Sequence, residues 1–245
     1  MRSNLRHHGC PTVSIDAFPE SLVRYRSVST IVAVDVIRST TMAVTAAEQG
    51  WKCYPVPTLE DAIARADTLE SPLLAGELGG QVPYAFEMDN SPVELLERRD
   101  RHRPLVLLST SGTRVICGAA PGQNVQVACL RNYRATVGAL LETQEAVAII
   151  GAGARGEFRD EDALCCAWIA RDLVKEGYVP ADARTAALIE RWDGVEVSEI
   201  VASPSAEFLR RTGRHGDLAF IVDHVDDLCG AVWLAGGALA YGRCP

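Results

Sequence analysis

Short apolar runs of strand length alternate with stretches of helical period along most of the chain, and that alternation limits the folds open to it. Ile31 to Ile37, Lys52 to Val56, Pro72 to Gly76, Leu105 to Leu108, Val125 to Leu130, Ala146 to Ile150 and Leu218 to Val222 read as strands. Near-continuous Val/Ile/Leu runs suit strands covered on both faces. Between them, Thr41 to Gln49, Leu59 to Leu69, Pro92 to Arg99, Tyr133 to Leu141, Asp162 to Lys175 and Ala183 to Arg191 repeat apolar residues every three or four positions, as a helix with one buried stripe does. Strand, helix, strand in repetition predicts an α/β protein, three-layered α/β/α with a mostly parallel sheet. Right-handed crossovers then put the loops that follow the strands on one side, where ligands gather. The 245 residues, 48% apolar, can bury one large core, so residues 1–245 read as a single unit, with two lobes divided near 130–145 as the alternative.

Charge and composition remove several classes of function. A formal net charge of −8 gives no chain-wide attraction to nucleic acid or anionic lipid, and neither partner is expected. No apolar stretch nears the roughly 20 residues that cross a bilayer, and Met1 to Cys10 is polar and basic without an apolar signal core, so the expectation is a cytoplasmic protein. The eight cysteines show no C-x-x-C spacing and read as small buried hydrophobes. His7, His8, His102, His215 and His224 lie near the amino terminus, in a charged turn or late in the chain, away from the strand ends that carry the other candidates. The apolar helices serve equally for packing or as a homodimer face.

The loops after the strands hold the candidate chemistry. Asp35 and Arg38 stand three residues apart ahead of Ser39, Thr40 and Thr41. Asp35 can ligate a metal or attack as a nucleophile, and Arg38 can clamp an oxyanion; alternatively the two pair with each other while Ser39 or Thr40 caps the helix. Glu77 sits among Gly76, Gly79 and Gly80, which allow close backbone approach. In Asn90-Ser91-Pro92 the serine reads as a helix N-cap and the asparagine can reach a ligand. Ser109 to Arg114 forms a hydroxyl-rich loop suited to an anion through Ser111, Gly112, Thr113 and Arg114, but lacks the lysine of a nucleotide P-loop.

Gly151 to Gly156 matches a dinucleotide fingerprint, yet Glu157, Asp160, Glu161 and Asp162 follow it and would repel a pyrophosphate unless a divalent cation lay between. No strand ending in an acidic residue follows at the required distance, which argues against an NAD(P)-dependent oxidoreductase. The acidic run either compensates a helix dipole or completes a magnesium site. A Ser-His-Asp hydrolase is disfavoured because no G-x-S-x-G elbow occurs. Asp35, Glu77, Glu161 and Asp162 are hard oxygen donors suited to Mg²⁺ with waters and a substrate phosphate. Arg38, Arg114 and the hydroxyl loop supply the opposite charge, the combination that phosphoryl transfer requires.

Five motifs in order, Asp35-Val36-Ile37-Arg38-Ser39-Thr40-Thr41, Gly76-Glu77-Leu78-Gly79-Gly80, Asn90-Ser91-Pro92, Ser109 to Arg114 and Glu161-Asp162, make the chain resemble the 2-phosphosulfolactate phosphatase family from about Ser29 to Asp223. The resemblance implies an α/β/α fold and a Mg²⁺-dependent acid phosphatase. Its substrate would be a small phosphate ester, (2R)-phospho-3-sulfolactate, cleaved to sulfolactate and phosphate, a step toward coenzyme M in methanogens. Asp35, Arg38, Glu77, Asn90 and Glu161-Asp162 match the family's motif positions, and their chemistry suits catalytic roles for Asp35, Arg38 and Glu77 and metal ligation by Asp35, Glu77, Glu161 and Asp162. Substrate contacts would come from Arg38, Thr40, Asn90, Ser111, Gly112, Thr113 and Arg114. Ser39 stands where the family usually has Ala, Asp89 where Gly is common, and Ser111 where Asn is usual. A serine hydroxyl reaches less far than an amide, which bears on substrate choice. The chain lacks the Asp-x-Asp-x-Thr of aspartyl-phosphate enzymes, favouring metal-activated water. The competing class is a non-catalytic small-anion or nucleotide-binding protein of the same fold.

Overall fold

Two sheets carry the molecule. A computed structural model describes residues 10–242; His7, His8 and Cys244 lie outside the described residues. The strands are β1 (Thr12–Ala17), β2 (Thr30–Val34), β3 (Cys53–Val56), β4 (Leu73–Gly76), β5 (Leu105–Leu108), β6 (Asn124–Ala128), β7 (Val147–Gly151), β8 (Val179–Pro180), β9 (Ala231–Ala235) and β10 (Ala238–Gly242). The helices are α1 (Ser39–Glu48), α2 (Leu59–Ala66), α3 (Pro92–Glu97), α4 (Gly112–Cys117), α5 (Tyr133–Thr143), α6 (Asp160–Lys175), α7 (Ala183–Trp192), α8 (Pro204–Arg211) and α9 (His215–Asp223). One sheet has seven strands in the order β10-β9-β6-β2-β7-β1-β8 and the other three in the order β3-β5-β4. All pairs are parallel except those made by β9 with β10 and β6.

Side-chain alternation along β2 shows how the layers form. Ile31 and Ala33, level with Val125 and Val127 of β6, face a core shared with α1, α4 and the small sheet. Val32 and Val34 face the other way, into a core built from α5 and α6. The small sheet repeats the pattern: Leu105 and Leu107 point toward α1 and α4, whereas Val106 and Leu108 pack on Ala62 of α2. Thus α1 and α4 touch strands of both sheets. Both faces of each sheet are covered, which is why the parallel strands read as unbroken apolar runs.

The α/β reading holds, with one strand corrected. Leu218 to Val222 lies within α9, where Asp217, Leu218, Phe220 and Ile221 are buried at helical spacing and Ala219 is exposed. A short apolar run fits either element, and length alone does not separate them. Residues 130–145 carry α5 between two strands of the same sheet, β6 and β7, while the chain changes sheet between α1 and β3 and again after α4. The seven described cysteines are free, with Cys53, Cys129, Cys165 and Cys166 buried. Among the described residues no helix is long and apolar enough to cross a membrane.

Candidate active site

The carboxyl ends of β2, β4, β5 and β7 meet at a cavity of about 240 Å³, and α8 covers it with Ser205 and Phe208. Strands of both sheets meet at one place because α1 and α4 pack on both sheets and hold them together. The cavity receives Asp35 and Arg38 from the β2 end, Glu77 from the β4 end, Ser111 from the β5 end, and Glu161 and Asp162 from the start of α6. Asn90 also reaches it, its Oδ1 buried without a hydrogen-bond partner.

Two carboxylates tie strand ends together through backbone N–H groups. Asp162 accepts from Val36 at 2.8 Å and from Gly153 at 3.1 Å, which joins the β2 and β7 ends. Glu77 accepts from Thr110 N at 2.7 Å, Thr110 Oγ1 at 2.9 Å and Gly80 N at 2.7 Å, which joins β4 to β5. Gly76 makes this possible. Its φ is +146°, and a Cβ there would collide with the Leu108 carbonyl.

Asp35 and Glu161 are less committed. Burial, and next the charge of Glu77, push the Asp35 carboxyl up to about 7, with Glu161 adding to the rise against the Ser39 N–H and Arg38. Burial likewise raises Glu161, whose Oε2 has no hydrogen-bond partner although the residue is 1% exposed. Asp162 lies well above the ordinary carboxylate range, through burial first and then Asp35 and Glu161. A divalent cation would relieve all three. Among the described residues no three His, Cys, Asp or Glu side chains converge to enclose an ion by themselves. The donor set therefore fits Mg²⁺ held by one or two carboxylates with waters and phosphate, and fits a protein-only cage poorly.

These displacements predict an unusual pH response. Asp35 titrates near 7 folded and near 3.8 unfolded, so its stabilising contribution is full below about pH 4 and falls as pH rises through 7. Glu161 and Asp162 act with the same sign; Asp16, lowered despite its burial because Ala17 N–H, Tyr25 and Arg184 hold it, responds only at more acid pH. Thermal melts in chelator should therefore drop by several degrees between pH 5 and pH 8, and Mg²⁺ should restore most of the loss at pH 8. A flat profile in chelator would contradict the crowding of these carboxylates.

Other predicted residues take supporting places. The Thr40 hydroxyl accepts from Asp35 N and donates to Asp35 O, both at 2.9 Å, and so shapes the turn behind the carboxylate. Helix α1 starts at Ser39 with Arg38 as its N-cap and no side-chain cap bond. Gly112 is buried against Asp35, where a Cβ would strike Asp35 Oδ2 and Ser39. The Thr113 hydroxyl exchanges hydrogen bonds with the Ser109 backbone at 3.0 Å, and Ser91 caps α3 by accepting from Glu94 N at 3.1 Å. Arg114 is at the surface, paired with Glu20 at 2.9 Å.

Arg38 reaches the cavity with its terminal nitrogens already committed, to Asp217 at 2.5 Å and Asp89 at 2.7 Å, and does not pair with Asp35. The other guanidinium groups that line the cavity are Arg155, which makes no ion pair among the described residues, and Arg159, paired only with the exposed Glu157. Both come from the β7–α6 loop, whose glycines and carboxylates dominate its sequence pattern. The signal for them in the sequence is Arg155 just before the acidic run Glu157 to Asp162 and Arg159 within it.

The 2-phosphosulpholactate phosphatase family model matches residues 17–228, which include every cavity residue named above. The chain belongs to that family. A relative from Thermus thermophilus is 34% identical over 211 residues, covering 84% of this chain and 87% of its own length. One from Symbiobacterium thermophilum is 32% identical over 197 residues, 77% and 84% of the two chains, and one from Clostridium botulinum is 28% identical over 167 residues, 67% and 69%. Each is named a probable 2-phosphosulfolactate phosphatase. The family match stops short of the β9–β10 hairpin, which pairs with β6.

Proposed function

We propose that this family member is a magnesium-dependent phosphomonoesterase of small acidic phosphate esters, acting on 2-phosphosulfolactate to release sulfolactate and phosphate. One observation carries the reading: Asp35 and Glu161, the latter with an Oε2 that has no hydrogen-bond partner, share a cavity with two arginines, Arg155 and Arg159. Asp35 and Glu161 would hold Mg²⁺. The ion would supply Lewis-acid polarisation of the phosphoryl group and a more acidic water. Glu77 and Asp162, fixed by backbone N–H groups, keep the strand ends in place around the reacting group. Arg159 offsets the negative charge of the phosphoryl group. Phe208 and Leu209 cover the cavity and limit the entry of bulk water. As a water oxygen bonds to phosphorus the P–O ester bond breaks; one water proton passes to a cavity carboxylate, and the alcohol oxygen takes up a proton in its place as it leaves toward the mouth.

The test is phosphate release from 2-phosphosulfolactate, phospholactate and an uncharged-tail ester, with Mg²⁺ and with excess chelator. The expected result is metal-dependent release, greatest for the sulfonated ester. Release unaffected by chelator would remove the metal from the mechanism. No release, with ester still bound, would make the chain a small-anion-binding member of its family.

A further inference from the structure

The β7–α6 loop carries its two arginines in different settings. Arg159 precedes α6 directly; its side chain is 12% exposed, paired with Glu157 at 2.8 Å, and its Nε is buried without a partner. Its charge acts on Glu161. It therefore belongs to the closed end of the cavity, with Glu161 and Asp162, which are 1% and 2% exposed. Arg155 is exposed yet lines the same cavity, on a turn closed by reciprocal 3.0 Å hydrogen bonds between Ala154 and Glu157. Among the described residues it makes no ion pair. Of the neighbouring cations, Arg38 is held by Asp89 and Asp217, and Arg114 does not line the cavity.

We propose that Arg155 determines specificity by receiving the second acidic group of the substrate, a carboxylate or sulfonate, while the phosphoryl group occupies the closed end beside Glu161 and Arg159. This rests on the phosphomonoesterase reading. A reacting phosphoryl group must lie against the carboxylates that hold the cation, so the remainder of a three-carbon ester extends toward the mouth. There it meets a permanently charged planar fork of N–H donors, matched to two oxygens of a carboxylate or sulfonate. An ester without that second anion gains nothing from the contact, so discrimination appears in KM and leaves the chemical step alone.

Arg155→Gln should raise KM for phosphosulfolactate and phospholactate by roughly 10- to 100-fold, the range for loss of a charge-assisted contact. It should leave kcat nearly unchanged and alter neither constant for propyl phosphate. Arg155→Lys should recover part of the affinity. An equal rise in KM for propyl phosphate would place Arg155 on the phosphoryl group, and unchanged KM for all three esters would remove it from the site; either overturns the assignment. Calorimetric titration with sulfolactate supplies a readout that needs no turnover. If the unmodified protein hydrolyses no ester, the phosphatase reading fails, and the role of Arg155 is decided by whether sulfolactate binding weakens at least about tenfold in Arg155→Gln; equal binding, or none to the unmodified protein, overturns it.

Discussion

Asp35→Asn is expected to lower metal-dependent phosphate release by at least about a thousandfold, equivalent to about 4 kcal/mol of transition-state stabilisation, while making the metal-free protein more stable at pH 8. The two effects have one origin. Asp35 stands near Glu77, Glu161 and Asp162 in a buried cluster, and its carboxyl is pushed up to about 7 because ionisation there is costly. An amide of the same shape removes that cost and also removes a ligand for the cation. The stability gain should shrink between pH 8 and pH 5, because the native carboxyl is already protonated at the lower value. Melts in chelator at both pH values, beside phosphate-release assays in Mg²⁺, provide the check. An inactive variant that melts lower than the parent at pH 8 would point to damaged packing around Gly112, whose backbone abuts Asp35 Oδ2, and would sink the charge argument.

How much of this was legible in the sequence differs between elements for physical reasons. Strands β2, β5 and β7 were plain because burial on both faces leaves an unbroken apolar run. Strand β1 was not legible, since Thr12–Ala17 interleaves polar residues: Asp16 is buried with bonds to Arg24 and Tyr25 just after the strand and to Arg184, 168 positions away. The β9–β10 hairpin had a Gly236-Gly237 turn signal that pattern reading passed over. Strand-end carboxylates were visible because polar residues that end an apolar run are conspicuous. The pairing state of the arginines was invisible: whether Arg38 faces a ligand or a carboxylate depends on Asp217, 179 positions away. The covering of the cavity by α8 was equally hidden, since Ser205 and Phe208 on an amphipathic helix look like ordinary packing.

The Arg38 network supplies the second large effect. Arg38 is 5% exposed, bound to Asp89 and Asp217; Asp89 also accepts from Arg214 Nε, and Asp217 Oδ1 accepts from Ser91 Oγ at 2.6 Å. The loop after β2, the segment before α3 and helix α9 are thereby braced at the edge of the cavity. Removing Asp217 leaves the buried Arg38 guanidinium with Asp89 alone, a carboxylate it shares with Arg214, so Asp217→Ala should cost about 3 kcal/mol of stability. The exposed Arg114–Glu20 pair should contribute less than about 1 kcal/mol when Arg114 is removed. Replacing both partners with apolar residues separates a brace from a catalytic group, because a buried pair exchanged for packed hydrophobes often loses little stability. The Arg38→Met, Asp217→Leu double variant should therefore melt closer to the parent than Asp217→Ala does. If Arg38 acts only by bracing, that variant should keep metal-dependent phosphate release within about tenfold of the parent. A native-like melt with release reduced a thousandfold would show that the guanidinium itself faces the phosphoryl group during reaction, having exchanged Asp89 or Asp217 for substrate oxygen.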